Sequence, residues 1–153
     1  MLRRIGGCLA LLAVLAAFGC GKSPPPIVEV EGTVLLNGQP LPNAQVEFVP
    51  ELKDFGAEMN STATTDDKGH FKLTCNLNQQ TGACVGSHRV LISEPPTPGD
   101  LRGQDAATQA KLAQFQARLK NRPIPPQYSS VSKTPLRFEV KPDQKTYQID
   151  LQR

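Results

Sequence analysis

The sequence predicts an all-β domain, an antiparallel sandwich of seven to eight short strands with one inserted surface helix. Segments in which apolar and polar residues alternate recur along the chain, and this period of two is typical of half-buried strands. Turn-forming residues separate these segments, among them 14 prolines and 12 glycines. One stretch, residues 105–121, replaces the alternation with helix-forming residues.

Residues 1–19 have the composition of a secretory signal peptide. Two arginines precede an uncharged apolar run from Ile5 to Phe18, and the small residue Gly19 follows it. The run is shorter than the ~20 apolar residues that a permanent membrane-spanning helix needs. We therefore predict that residues 1–19 are removed and that the mature protein is exported.

The predicted cleavage site ends at a cysteine. Ala17-Phe18-Gly19-Cys20 resembles the lipobox of bacterial lipoproteins, although the leucine that is common at the position of Ala17 is absent. The resemblance implies that Cys20 is lipidated, becomes the first mature residue and anchors the chain to the cell envelope. By analogy with lipoproteins of bacteria with two membranes, Gly21 in place of aspartate favours the outer membrane over the inner one.

Residues 20–27 are predicted to be a tether, because the run Pro24–Pro26 favours extended polyproline geometry that holds a domain off a surface. The β-sandwich domain then spans residues 28–153. Its alternating segments predict strands at residues 28–34, 45–49, 61–65, 71–74, 86–93, 136–140 and 147–151. The threonine-rich segment 61–65 is expected at a sheet edge, and residues 50–60 are expected to form an irregular connection.

Two turns are specified by their residue types. Asn37-Gly38 is the strongest short hairpin signal, since both residues tolerate a positive φ. Asp66-Asp-Lys-Gly69 predicts a tight turn in which the acids cap its opening and Gly69 takes a positive φ.

Residues 105–121 predict the inserted helix. Asp105 can cap its start, Pro123 stops it soon after Asn121, and Leu112, Phe115 and Leu119 form one narrow apolar stripe. The helix is expected to cover a sheet edge or face. A docking element for a partner and a loosely ordered insertion are the alternatives.

The cysteines agree with export. Cys8 leaves with the signal peptide and Cys20 would carry lipid, so Cys75 and Cys84 remain as one pair in an oxidising compartment. Their positions at the facing ends of two strand-like segments predict a structural disulfide, which would stabilise the fold by about 2.5–3 kcal/mol. A redox or metal-binding pair is the alternative, but the spacing is not CxxC.

The sequence predicts no enzymatic activity and no cofactor or metal. His70 is expected on an exposed face and His88, beside Val90, is expected to be partly buried, so the two are not placed as a ligand pair. Ser87 and His88 are neighbours on a strand and should point to opposite sides, which prevents a catalytic hydrogen bond. A net charge of +3 without a basic cluster does not predict nucleic-acid binding.

Several motifs together resemble a known family. They are Gly32-Thr-Val, Asn37-Gly-Gln-Pro-Leu41, Ala44-Gln-Val-Glu-Phe48, Thr65-Asp-Asp-Lys-Gly-His-Phe71 and Gly86-Ser-His-Arg-Val90. Their order is similar to that of the carboxypeptidase regulatory-like (transthyretin-like) domain, particularly in small lipoproteins of planctomycete-type bacteria. His88 stands where that family often has tyrosine, and the Cys75/Cys84 pair is not part of its pattern. The resemblance implies a Greek-key (transthyretin-like/Ig-like) sandwich without peptidase activity.

We therefore expect a non-enzymatic, membrane-anchored lipoprotein that is a structural or interaction module of the cell envelope. Its partners would be the membrane, through the lipid anchor, and an envelope protein or glycan. The alternative is a module that binds carbohydrate or an extended peptide, with residues 50–60 and 129–133 as a binding rim. Carbohydrate binding is disfavoured because only Tyr128 and Tyr147 are available for stacking and there is no tryptophan. A hydrolase would need a pocket in which polar side chains cluster.

Overall fold

The computed structural model describes residues 23–153 of the chain. The predicted signal peptide, the predicted lipidation site Cys20 and the first residues of the predicted tether lie outside the described residues. The described part is an all-β sandwich with one helix, which confirms the predicted fold class.

Residues 23–153 form eleven strands and one α-helix. The strands are, in chain order, β1 (Ile27–Val28), β2 (Glu31–Leu36), β3 (Gln39–Pro40), β4 (Gln45–Pro50), β5 (Ser61–Thr64), β6 (His70–Lys72), β7 (Thr74–Cys75), β8 (Ala83–Cys84), β9 (Gly86–Ser93), β10 (Arg137–Val140) and β11 (Thr146–Leu151). The helix α1 spans Ala106–Ala117. The strands outnumber the seven to eight expected because pairings of two residues are too short to show an alternation.

Two sheets face each other. One sheet has the strand order β10-β9-β4-β5-β7, and the other has the order β11-β2-β3, with β6 also paired to β2. β1 and β8 form a separate two-stranded ribbon. The chain changes sheets at Leu73, between β6 and β7, so the predicted strand 71–74 is divided between them.

Two details of the predicted sandwich are corrected. Residues 61–65 do not form an edge strand, because β7 pairs with the outer side of β5. The sandwich is not wholly antiparallel, because β11 pairs with β2 in parallel, from Thr146 opposite Glu31 to Leu151 opposite Leu36. Only strands joined by a tight hairpin must be antiparallel, and β2 and β11 lie near opposite ends of the domain sequence.

The core lies between the two sheets. Phe48 is 0% exposed, and its ring centroid lies 6.2 Å from those of Phe71 and Phe138 and 6.5 Å from that of Tyr147. The buried aliphatic residues around this aromatic group are Val30, Val34, Leu36, Leu41, Val46, Leu73, Val90, Ile92, Val140, Ile149 and Leu151. The alternating apolar positions read from the sequence therefore form the core.

The sandwich has two ends, which we call the tether pole and the helix pole. The tether pole contains β1 and β8, and the Val85 amide donates to the Pro26 carbonyl there (2.9 Å). The helix pole contains Ser93, the end of β9, together with residues 36–44. The eight residues of β9 separate the two poles by about 23 Å, at ~3.3 Å per residue.

Candidate functional site

The helix α1 lies outside the core. The Asp105 side chain accepts a hydrogen bond from the Thr108 amide (2.9 Å), which confirms the predicted cap. Hydrogen bonds from the side chain and the amide of Thr108 lower the pKa of the Asp105 carboxyl. No residue of α1 is buried, and Leu112 and Phe115 of its apolar stripe are only partly covered. The helix is therefore attached to the domain without a packed interface of its own.

The helix ends at Ala117, four residues before the predicted end, because the chain turns to attach itself to the sandwich. Asn121 adopts a positive φ of 57°. Its side-chain amide nitrogen lies 3.1 Å, 3.1 Å and 3.2 Å from the carbonyl oxygens of Leu36, Gln39 and Pro40. Asparagine is favoured here because it tolerates left-handed backbone and carries two donors.

Arg122 completes this attachment. Its guanidinium donates to the carbonyl oxygens of Pro42 and Asn43 at 3.0 Å and to that of Lys120 at 2.6 Å. The same guanidinium forms an ion pair with Glu94 (2.6 Å), and the Arg122 side chain is only 14% exposed. We call Asn121 and Arg122 the clamp, because together they join the helical insertion to the helix pole.

An apolar groove lies on each side of residues 123–124. One depression of about 300 Å³ lies under α1, and a second of about 370 Å³ lies toward β9. The first is lined by Glu94, Pro95, Thr97, Phe115, Gln116, Leu119, Arg122 and Pro123. The second is lined by Ile92, Ser93, Glu94, Ile124, Pro125, Pro126 and Ser129. Glu94 belongs to both, so we treat them as one surface, the helix-pole groove.

Three basic residues flank the positions of the helical insertion that line this groove, and we call them its rim. Lys111, Arg118 and Lys120 lie on α1 or just after it, and all three are exposed. None of the ion pairs found within residues 23–153 involves them. The only carboxylate lining the groove within the described residues, Glu94, is neutralised by Arg122.

The predicted disulfide between Cys75 and Cys84 is wrong for this structure, in which both cysteines are free and buried. The Cys75 sulfur lies 3.9 Å and 4.0 Å from the carbonyl oxygens of Glu58 and Met59. The Cys84 sulfur instead lies 3.5 Å from Nε2 of His88. The two thiols face different partners because β7 pairs with β5 whereas β8 pairs with β1.

The Cys84–His88 contact lies in the interior. His88 is 0% exposed, more deeply buried than predicted, and its Nδ1 lies 2.9 Å from the Gly86 carbonyl. Burial lowers the pKa of His88 and raises the pKa of the Cys84 thiol to about 11. Both groups are therefore neutral at pH 7, and this pair is part of the packed core.

Ser87 and His70 lie on the exposed faces of their strands, as the alternation of side chains predicts. Ser87 is exposed and donates to Glu139 (2.7 Å), so it points away from His88. His70 is exposed, with its Nδ1 3.7 Å from the Asp66 carboxylate. Among the described residues, no group of three or more His, Cys, Asp or Glu side chains could hold a metal ion.

The two loops predicted as a binding rim meet at Arg89. Its guanidinium donates to Glu51 (2.9 Å) and to the Val131 carbonyl (2.7 Å). Arg137 also contacts Glu51 (2.8 Å), and these contacts lower the pKa of the Glu51 carboxyl. These loops therefore form an exposed ion-pair network. Arg137 also lines an open depression of about 330 Å³ that extends toward Tyr147, and Ser129 lines the helix-pole groove.

Neither tyrosine offers a stacking face. Tyr128 and Tyr147 are each 4% exposed. The Tyr128 hydroxyl bonds to the backbone of Gln152, and the Tyr147 hydroxyl bonds to the backbone of Glu139 and Lys141. Their rings are therefore almost completely buried against the sandwich and leave no face open for stacking.

The clamp is not predictable from local sequence patterns. The sequence indicates Asn121 only as the last residue of the predicted helix, before the helix-stopping Pro123. The available signal was an asparagine next to an arginine at a helix end, a position where left-handed backbone is common. Nothing in the sequence shows that its partners lie about 80 residues earlier in the chain, at Leu36, Gln39 and Pro40.

One family matches part of the chain. A domain of unknown function, DUF6795, matches residues 30–91, which run from just before β2 into β9. The helix α1, the clamp, β10 and β11 lie outside that match. No curated protein and no solved structure matches the chain. No helix within residues 23–153 is long and apolar enough to cross a membrane.

Proposed function

We propose that the chain is a non-enzymatic lipoprotein, anchored to the cell envelope through Cys20, whose sandwich presents an interaction surface at the helix pole. The observation that carries this proposal is that the tether and the groove lie at opposite ends of the domain. The chain that follows Cys20 joins the sandwich at the tether pole, and the exposed groove lies at the opposite end. An anchored domain of this shape would hold the groove away from the membrane. The likeness to carboxypeptidase regulatory-like domains stays a prediction.

The end of the tether is held in the fold by strand pairing and close backbone packing, which supports this proposal. β1 pairs with β8, and Gly82 lies against the Val28 carbonyl with a φ of 118°. A Cβ atom at Gly82 would collide with that carbonyl oxygen. The tether therefore leaves the domain from a defined place, so an anchor at Cys20 would orient the sandwich.

The anchor is tested with the full chain in a bacterium that processes lipoproteins. Cys20→Ala should abolish incorporation of labelled fatty acid and move the protein from the membrane fraction to the soluble fraction. Cys8→Ala is the matched control, since Cys8 lies in the segment predicted to be removed, and it should be labelled and fractionate like the parent. Membrane retention of Cys20→Ala would contradict the proposal.

Peptide binding by strand addition is a second candidate, supported by the outer edge of β11. The Glu31 amide donates to the Lys145 carbonyl and the Asn37 amide to that of Leu151, so odd-numbered residues of β11 face β2. The backbone groups of Gln148 therefore point to the side where no described strand pairs. Proline at Gln148 should abolish binding of extended peptides that add to this edge, whereas Gln148→Ala should not. Equal binding by both variants would exclude it.

A further inference from the structure

We propose that the helix-pole groove docks an acidic segment of an envelope protein that inserts apolar side chains between α1 and β9. This inference rests on the proposed function and names the partner of its interaction surface. The apolar part of the argument comes from the lining of the groove and the acidic part from its rim.

The groove offers apolar surface that no other part of the described chain covers. Phe115 and Leu119 are half-buried, and the facing wall contains Pro95 and Pro123. Proline rings have little conformational freedom to lose, so a ligand ordered on them meets a low entropic cost. An interface of this kind gains affinity from apolar anchors placed in preformed depressions.

The clamp keeps this surface in shape without filling it. Asn121 and Arg122 hold the chain between α1 and Pro123 through backbone carbonyls of the helix pole. The insertion therefore does not need to bury its own apolar stripe in order to stay attached. The stripe is left available, which is the arrangement expected of a preorganised docking surface.

The charge of the rim selects the occupant. Lys111, Arg118 and Lys120 are exposed, and none of the ion pairs among residues 23–153 involves them. Glu94 is already neutralised by Arg122. An acidic partner is attracted by these three charges and is oriented by them during encounter. A second copy would bring the same basic rim against itself, and like charges in contact disfavour that arrangement.

The position of the groove argues against a lipid surface as the occupant. The tether pole would face the membrane that holds Cys20, and the groove lies about 23 Å beyond it along β9, at ~3.3 Å per residue. A protein segment in the envelope space can reach the groove without approaching the membrane that holds Cys20. We therefore commit to a protein partner.

The test uses the full-length chain in the native envelope with a photo-crosslinking amino acid at Gln116, which lines the groove. Peptide mapping of the crosslinked product should identify a protein segment with a net negative charge and apolar residues. The same amino acid at Asp143, in the exposed turn between β10 and β11, is the control and should not capture that segment. Capture of a basic or neutral segment, of a second copy, of lipid or glycan, or no capture, would overturn the proposal.

Charge-reversal variants distinguish docking at this groove from nonspecific binding. Arg118→Glu with Lys120→Glu should reduce the crosslink yield at Gln116 at least tenfold. Lys72→Glu with Lys141→Glu reverses the same number of exposed charges elsewhere and should leave the yield unchanged. Equal yields from the two pairs would overturn the acidic-partner assignment.

The same samples are fractionated, so the two proposals fail separately. A membrane-bound chain without an acidic crosslink removes the docking proposal and leaves the anchor intact. A chain that is soluble in the parent sample contradicts the anchor.

Discussion

The sandwich body is stabilised by a buried apolar core, whereas the helical insertion is attached by polar contacts. The body buries a continuous apolar core in which Phe48 contacts three other aromatic rings and the ring of His88. The insertion contains no buried residue in α1 and is attached through the polar clamp. Folding stability therefore resides in the body, whereas the insertion can present its apolar stripe to a partner with little loss of folding stability.

The largest effect is expected from a matched pair of phenylalanine truncations. Phe48→Ala should lower the free energy of unfolding by about 3–5 kcal/mol, because it leaves a cavity in the core. Phe115→Ala on α1 should lower it by less than about 1 kcal/mol, as expected for a partly exposed side chain. Denaturant unfolding monitored by circular dichroism measures both. Similar losses would show that the insertion is part of the folding core.

The next effect concerns the tether pole. Gly82→Ala should destabilise the protein by about 1–3 kcal/mol and break the β1–β8 pairing, through strain at a positive φ and a collision with the Val28 carbonyl. Gly86→Ala is the control, since Gly86 has a φ of 129° but no atom within 4 Å of an added Cβ. Hydrogen exchange at residues 27–28 measures the pairing. Equal exchange in both variants would assign the effect to backbone strain alone.

A substitution in the clamp should release the helical insertion without unfolding the sandwich body. Asn121→Asp replaces the amide donor by a carboxylate facing the Leu36 carbonyl, which should cost about 1–3 kcal/mol and free the insertion before the body unfolds. Limited proteolysis within residues 103–120 should accelerate while β9 stays protected. Asn43→Asp is the control, because Asn43 also has a positive φ of 51° and is exposed. Unchanged proteolysis in Asn121→Asp would show that the clamp does not hold the insertion.

The smallest effect is a change in pH dependence from His88. Burial lowers its folded-state pKa despite the hydrogen bond to the Gly86 carbonyl and the weaker attraction of Glu139 and Glu51. The unfolded chain therefore takes up a proton first as the pH falls below about 6.5. The stability contributed by the neutral ring is present above that pH and is lost below it. Carboxyl groups with lowered pKa values, such as that of Asp66, act at lower pH.

The measurement is the free energy of unfolding between pH 7.5 and 5.5. The parent protein should lose stability over this range, and His88→Gln should show a flatter profile even if its stability at pH 7.5 is lower. His70→Gln is the matched control, because His70 is exposed, and its profile should follow that of the parent. A parent slope that persists in His88→Gln would assign the pH dependence to other groups.

Much of the body was predictable because its elements depend on local patterns. The predicted strand 86–93 coincides with β9, and both residues of the Asn37-Gly38 turn have a positive φ. The Asp105 cap was also predicted. The disulfide was wrong because a spacing of two cysteines reports their distance along the chain and not the partner strands that orient their sulfurs.

The candidate site was predicted only in outline. The apolar stripe of α1 was read from the sequence, and a docking role was one of the alternatives. The groove itself depends on Pro95 and Pro123 meeting α1, and on Ile92 meeting Ile124, from separate parts of the chain. Contacts of that kind are set by the packing of the whole domain, and a single sequence carries no direct record of them.

Local sequence patterns are sufficient to predict the fold class, the alternating core positions, the principal turns and the presence of a capped helix. These features follow from side-chain direction and backbone preference over a few residues. Three other features depend on tertiary contacts: the parallel pairing of β2 with β11, the absence of a bond between Cys75 and Cys84, and the attachment of α1 through the clamp. Each of these joins segments distant in sequence, and their energies arise only when both sheets close around the same core.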